Sequence, residues 1–285
     1  MRIFILFIFL HSTFFLSSAQ STAYKPDLYI ISIGVSDYIN YPNKHLSYAS
    51  KDAIAIIKKF DSSEMYNKVH PFLIVDTNAT RSKILPLRNA LMKTDVDDQV
   101  IIFFSGHGMV DTATLNFYFC TYNFDAAKPV STGITFDEME YLLDSIPSRK
   151  KLFLIDACHS GEIDKDAARE QQTGPSNNKS HAKTFTPTDF KSNQYVFDMM
   201  KELFVDVRKS TGSTVLASSG GLSNSFEEDA WQQGIFTHAL LITLKKGITV
   251  SQLVSIIPKL VTEISSGKQS PVIREENIEF DYPIW

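Results

Sequence analysis

Two residues of the sequence carry the side chains that nucleophilic catalysis needs, an imidazole at His107 and a thiol at Cys158. His107 stands in the motif SGHG and Cys158 in the motif DACHSG. A cysteine nucleophile requires thiolate character, a nearby imidazole and hydrogen-bond donors for the developing oxyanion. The glycines around His107 allow a close backbone approach to a substrate. We therefore predict thiol catalysis by His107 and Cys158, with the backbone amides of Gly108 and Cys158 as oxyanion donors.

Each motif follows a short apolar run that is typical of a buried strand. These runs are residues 100–104 (VIIFF) and residues 152–155 (LFLI). The two candidates lie 158 − 107 = 51 residues apart, which fits one βαβ crossover. Parallel strands joined in this way bring both motifs to the carboxyl edge of the sheet, where α/β proteins bind their ligands.

Strands and helices alternate along the rest of the chain. Further strands are predicted at residues 28–34, 71–75 and 214–217, with a short one near 116–121 and a last one within 277–282. Helices are predicted at residues 46–60, 80–93, 236–244 and 253–264, and another is predicted after a capping box formed by Thr135 and Glu138. The helix that begins at Thr80 contains Pro86. Pro258 is expected to divide the helix at 253–264 in two. These positions follow from apolar spacing and capping signals. The alternation predicts an α/β fold with a mostly parallel central sheet of about six strands.

Composition and charge exclude several classes of protein. The chain has 285 residues, of which 44% are apolar and 21% charged, so it can form a sizeable core and is not a disordered protein. Lys and Arg number 28 against 32 Asp and Glu, and the net charge of −4 argues against a nucleic-acid partner. Two cysteines, Cys120 and Cys158, exclude a disulfide scaffold and a cysteine-based zinc finger.

The first 19 residues have the pattern of a signal peptide. Arg2 is followed by an apolar run from residue 3 to residue 10, and the segment closes on small residues ending at Ala19. The alternative is an uncleaved membrane anchor, but the apolar run is too short for a span of about 20 residues. We expect cleavage after Ala19 and an exported protein, periplasmic or secreted, with no stable membrane anchor.

The chain resembles the caspase superfamily, and the motif DACHSG is closest to bacterial metacaspase-like proteins rather than to animal caspases. The caspase signature places its histidine about 50 residues before the cysteine, as here. The likeness extends to LYIISIGVSDY, ITFDEMEYLL, TVLASSG and GIFTHALL. It implies a three-layer caspase–haemoglobinase-like fold over residues 25–285. It also implies Cys158 as the nucleophile and His107 as the general acid/base, its ring oriented by a backbone carbonyl.

The same resemblance implies a substrate preference. Metacaspases line the pocket for the residue before the cut bond (P1) with two acids, and Asp52 and Asp156 occupy the matching places. A carboxylate pair favours a cation, so Arg or Lys is expected at P1. Leu46 stands about where animal caspases carry the arginine that selects Asp. The structural alternatives are a solvated or capping role for Asp52 and a loop hydrogen bond for Asp156.

Three further expectations concern loops. Ser218, Ser219 and Glu227 lie in a loop that helps shape the substrate cleft in this family, and the alternative is a plain surface loop. Some metacaspases need Ca²⁺, which acidic residues could bind here, although no cofactor is required by the sequence. The acids in comparable regions are Asp125, Asp137, Glu138 and Asp164.

Residues 162–194 are polar and without apolar periodicity, which predicts a mobile linker between the large and small parts of the domain. With basic specificity this linker offers self-cleavage sites at Lys165, Arg169, Lys179, Lys183 and Lys191.

Two other functions stay open. One is a catalytically silent caspase-like module that binds partners. The other is a hydrolase or transferase regulated by a disulfide between Cys120 and Cys158.

Overall fold

The structure is a computed structural model, and it describes residues 24–111, 114, 116–157, 180–182, 212–219, 225–275 and 281–285. A six-stranded sheet crosses the molecule in the order β12-β9-β7-β3-β1-β2. Its strands are β1 (Leu28–Gly34), β2 (Val69–Val75), β3 (Gln99–Ser105), β7 (Lys150–Asp156), β9 (Ser213–Ala217) and β12 (Val272–Glu275). Only β12 runs antiparallel to its neighbour within this sheet.

Two small antiparallel sheets complete the described strands. One contains β4 (Gly108–Asp111), β5 (Asn116–Phe119) and β6 (Ile134–Thr135), and the other contains β8 (Ser180–Ala182), β10 (Phe226–Glu228) and β11 (Gln233–Gly234). The strand β8 lies inside the predicted linker 162–194, so residues 180–182 have a regular backbone that the polar composition did not predict. The remainder of that linker lies outside the described residues.

The α-helices of the described segments differ widely in length. They are α1 (Ala49–Asp61), α2 (Arg81–Ile84), α3 (Arg88–Leu91), α4 (Pro129–Thr132), α5 (Phe136–Tyr141), α6 (Ile235–Thr243) and α7 (Val250–Ile264). Within these segments each helix is too short or too polar to cross a bilayer.

The main sheet separates two hydrophobic cores. Ile30 and Phe103 belong to the core shared with α1, α6 and α7, whereas the next residues, Ile31 and Phe104, belong to the core shared with α5 and β5. This alternation follows from the two-residue period of a strand, and it explains why the central strands read as unbroken apolar runs. The predicted three-layer α/β architecture is confirmed.

Prolines are placed differently from the predictions. Pro86 stands in a 3₁₀ turn, Leu85–Leu87, which divides the predicted helix after Thr80 into α2 and α3. Pro258 lies inside the continuous helix α7, so the predicted division there is wrong. Buried residues on both sides of Pro258, Leu253 and Val261 among them, hold the two halves of α7 to one core. Pro71 stands in β2, which pairs only with β1 among the described strands.

Of two predicted helix caps one is wrong and one is confirmed, and the predicted last strand stays a prediction. The side chain of Thr80 does not cap α2, whereas Thr135 and Glu138 form the predicted capping box of α5. Among the described residues, the last strand of the main sheet is β12, which ends at Glu275. It precedes the predicted segment 277–282, most of which lies outside the described residues.

Candidate active site

The strands β3 and β7 lie side by side, and their ends are in register. Ser105 pairs with Asp156 across the two parallel strands. His107 follows Ser105 by two residues, and Cys158 follows Asp156 by two residues in the sequence. The predicted placement of both motifs after neighbouring strands is therefore correct, although Cys158 itself lies outside the described residues.

The imidazole of His107 is held by hydrogen bonds at the carboxyl edge of the sheet. The residue is 2% exposed, and its Nε2 lies 2.7 Å from the carbonyl oxygen of Lys44. Because a carbonyl oxygen can only accept, this contact places a proton on Nε2, and in the neutral ring the lone pair then belongs to Nδ1. The resemblance implied a carbonyl in this role, and Lys44 supplies it.

Tyr38 fixes the backbone of the same residue. Its hydroxyl accepts from the His107 backbone N–H at 2.8 Å and donates to the Val35 carbonyl at 3.0 Å. The two rings are 4.9 Å apart and tilted by 41°. Burial, the main cause, raises the pKa of Tyr38 well above its ordinary value, so the hydroxyl stays protonated. Sequence reasoning did not single out Tyr38; its only signal was a polar aromatic residue after β1.

The backbone amide of Gly108 is directed away from its neighbouring strand. Gly108 pairs with Phe119 across β4 and β5, and the Cys120 N–H donates to the His107 carbonyl at 3.0 Å. In an antiparallel sheet, a hydrogen bond between the residues that flank a pair means that the pair itself exchanges no backbone hydrogen bonds. Gly108 and Phe119 are such a pair. The Gly108 N–H is thus not used by β5, which suits the predicted oxyanion donor.

Asp52 is fully buried on α1. One carboxylate oxygen accepts from the Ser105 hydroxyl at 2.9 Å, and the other accepts from the Gly234 backbone N–H at 3.0 Å. Ser105 directly precedes the GHG of the His107 motif, and Gly234 is the N-cap of α6. The expected alternative of a solvated Asp52 is therefore excluded.

Asp156 is also fully buried, and it reaches the same helix end. Its carboxylate accepts from the hydroxyls of Ser225 at 2.5 Å and Thr237 at 2.7 Å, and from the Thr237 N–H at 3.3 Å. Thr237 lies in the first turn of α6, whose N-terminal N–H groups favour negative charge. The structure thus brings Asp52 and Asp156 together at one helix N-terminus beside the His107 motif.

A family model described as a caspase domain matches residues 30–282. The chain belongs to the caspase-domain family. Among solved structures, protein GSU0716 from Geobacter sulfurreducens has a similar fold, with a TM-score of 0.59 and 16% sequence identity over 91% of this chain and 95% of that chain. No curated protein matches the chain in sequence.

The family confirms the resemblance and supports a hydrolase of the cysteine-peptidase type. Two other residues of this caspase domain have contacts that bear on the predictions. The buried Ser218 donates its hydroxyl to the Ala157 carbonyl at 3.2 Å and so ties the end of β9 to β7. Its predicted role in substrate binding stays a prediction. Cys120 carries a buried free thiol, and burial raises its pKa well above the ordinary value.

At least two of the four acids considered for Ca²⁺ have partners among the described residues. Glu138 pairs with Arg81 and accepts from Thr135, and Asp125 accepts from the Ala127 N–H. Asp164 lies outside the described residues. Across the described part of the chain, no three His, Cys, Asp or Glu side chains are grouped to hold a metal ion.

Proposed function

We propose that this caspase domain is an exported cysteine endopeptidase that cuts peptide bonds after Arg or Lys. The main support is the register of β3 and β7, which sets the His107 and Cys158 motifs at equal distances past paired residues. The second support is the Lys44 carbonyl, which accepts from Nε2 of His107 and so leaves the lone pair of the neutral ring on Nδ1. The family adds the cysteine-peptidase chemistry.

In the proposed reaction the imidazole acts as a base and then as an acid, first in acylation and again in hydrolysis. Nδ1 of His107 takes the proton of the Cys158 thiol, and the sulfur attacks the carbonyl carbon of the scissile bond. The amides of Gly108 and Cys158 bind the oxyanion that forms. The imidazolium then protonates the leaving amine, and a water molecule, deprotonated by His107, hydrolyses the thioester and restores the thiol.

The proposed P1 preference rests on charge. Asp52 and Asp156 are carboxylates buried at the same helix N-terminus, next to the histidine motif. A guanidinium or ammonium group at P1 would offset their negative charge, whereas an Asp side chain would add to it. The same argument gives Arg or Lys sites for self-processing in residues 162–194.

Fluorogenic peptides that differ only in Arg, Lys or Asp at P1 test this function, with Cys158→Ala as the control. We expect cleavage of the Arg and Lys peptides and none by Cys158→Ala. Cleavage of the Asp peptide alone would refute the proposed preference for Arg or Lys at P1, but it would still agree with Cys158 as the nucleophile. No cleavage of any peptide, together with retained peptide binding, would favour the silent binding module.

Intact mass tests export and self-processing. The mature protein is expected to begin at Gln20, and active protein is expected to contain fragments ending at Lys or Arg within residues 162–194. A Cys158→Ala chain with the same fragments would show that another protease makes the cuts. Activity that is indifferent to a chelator would rule out a Ca²⁺ requirement.

A further inference from the structure

Glu227, on β10, places a fully buried carboxylate against the backbone at the start of α1. Its two oxygens accept from the backbone N–H groups of Ser47 at 2.7 Å and Tyr48 at 2.8 Å. Tyr48 is the N-cap of α1, and no side chain of that helix caps it locally. A buried carboxylate that receives two directed hydrogen bonds fixes its donors strongly. The backbone of residues 47–48 is therefore set by a residue about 180 positions later in the chain.

The same loop orients the imidazole. We refer to residues 41–48 as the 41–48 loop. Lys44, in its 3₁₀ turn, supplies the carbonyl that accepts from Nε2 of His107, only three residues before Ser47. Between them, the Leu46 N–H donates to the Ser36 carbonyl at 3.0 Å. Residues 44–48 are thus a short segment held at both ends, at the Lys44 carbonyl by His107 and at Ser47 and Tyr48 by Glu227.

We infer that Glu227 is a positioning residue for the catalytic imidazole. It acts through the 41–48 loop: its carboxylate fixes Ser47 and Tyr48, and the loop presents the Lys44 carbonyl to His107. The inference deepens the proposed function, because it takes His107 as the acid/base of that reaction. A carboxylate that only capped α1 would alter the stability of the protein and leave the imidazole unchanged.

Glu227→Gln removes one of the two acceptors and the charge, since the amide nitrogen cannot accept from a second N–H. Its matched control is Glu228→Gln, which makes the same change at the next residue, whose side chain is partly exposed. The direct readout is the proton resonance of His107 Nε2–H, identified by its absence in His107→Ala. A hydrogen bond to a buried carbonyl shifts this resonance downfield and slows its exchange with water.

We expect the resonance in the wild-type protein and in Glu228→Gln, and its loss or broadening in Glu227→Gln. In peptide cleavage we expect kcat of Glu227→Gln to fall by about tenfold, because the 41–48 loop presents the carbonyl that orients the base. An unchanged resonance and an unchanged kcat in folded Glu227→Gln would overturn the inference.

If Glu227→Gln does not fold, Glu227→Asp keeps the charge and shortens the reach by one methylene. We then expect a weakened Nε2–H resonance and a smaller loss of kcat; wild-type values for both would overturn the inference. The resonance needs no turnover. Wild-type protein that shows it but cleaves no peptide would refute the proposed function and leave the positioning role to be judged by the variants.

Discussion

A main-chain carbonyl and a tyrosine hydroxyl hold the ring and the backbone of His107 in the described part of the site. The Lys44 carbonyl accepts from its Nε2, and the Tyr38 hydroxyl accepts from its backbone N–H. A neutral carbonyl does not compete for the proton of the imidazolium as a carboxylate would. In the proposed reaction this arrangement would let the ring give its proton to a leaving amine while its orientation stays fixed.

Tyr38→Phe tests the backbone contact. It leaves the His107 N–H and the Val35 carbonyl without their shared hydroxyl in a buried place. We expect a loss of about 1–3 kcal/mol in the free energy of unfolding, measured by denaturant, and a lower kcat. Tyr29→Phe, on β1, is the control and should change stability by less than about 0.5 kcal/mol. Equal effects of the two variants would contradict the role of the Tyr38 hydroxyl.

Asp52→Asn tests the charge of the proposed P1 pocket. Asparagine keeps one acceptor oxygen for Gly234 or Ser105 but removes the negative charge. We expect kcat/KM for Arg peptides to fall by at least about tenfold, and kcat/KM for peptides with a neutral P1 residue to fall much less. The exposed Asp61 at the end of the same helix gives the control, Asp61→Asn. Equal losses for charged and neutral peptides would assign Asp52 a structural role only.

Buried or half-buried carboxylates connect several helix starts to other elements. Asp52 and Asp156 accept from the start of α6, Glu227 accepts from the start of α1, and Glu138 caps α5 while it pairs with Arg81. In three of these contacts the carboxylate comes from a different element than the helix it caps. These carboxylates therefore fix the starts of α1 and α6 relative to the strands and helices that carry them.

The acid sensitivity of α5 follows from the pKa of Glu138. Burial raises this pKa, but the hydrogen bonds from Arg81 and Thr135 and the charge of Arg81 outweigh burial and lower it. The stabilising contribution is therefore present above the unfolded pKa of about 4.3 and is lost as pH falls through the lower folded pKa.

Glu138→Gln should remove this part of the pH dependence and cost about 1 kcal/mol at neutral pH. Denaturant unfolding measured from pH 7 down to pH 3 checks both effects, with the exposed Glu263→Gln as the control. A variant that loses stability with acid as steeply as the wild type would contradict the assignment.

The sequence predicted the elements that local patterns specify and missed those that depend on distant partners. The apolar run of β1 and the Thr135/Glu138 box predict their structures correctly because period and capping are local signals. By contrast, β12 is half-exposed, and only its pairing with β9 makes it a strand. Pro258 would divide an isolated helix, but the core beneath α7 holds it together. The contacts of Lys44 with His107 and of Glu227 with the start of α1 carry no local signal, since they join residues distant in the sequence.

At the scale of the whole molecule, the linker separates segments that pair closely. β9 lies beside β7 in the main sheet, and Gly234 and Thr237 bond to Asp52 and Asp156 from the far side of residues 162–194. Both parts therefore contribute to the same sheet and the same pair of carboxylates. A cut in the linker removes one covalent connection and none of these contacts.

We accordingly expect the fragments of linker-cleaved protein to stay together. Protein cut at Lys165 or Arg169 should elute from a size-exclusion column at the position of the intact chain, and it should separate only in denaturant. Cys158→Ala cut by added trypsin supplies the same fragments without self-processing. Separation of the fragments in native buffer would show that the linker itself is needed to hold the two parts.

The position of Pro71 has a consequence for assembly. A sheet edge with free N–H and C=O groups is a template on which further chains can polymerise. β2 is such an edge among the described strands, and proline there supplies no N–H to an incoming strand. We expect Pro71 to limit fibre growth along this side at high protein concentration, and replacing it with valine would open a route to aggregation that the natural residue closes.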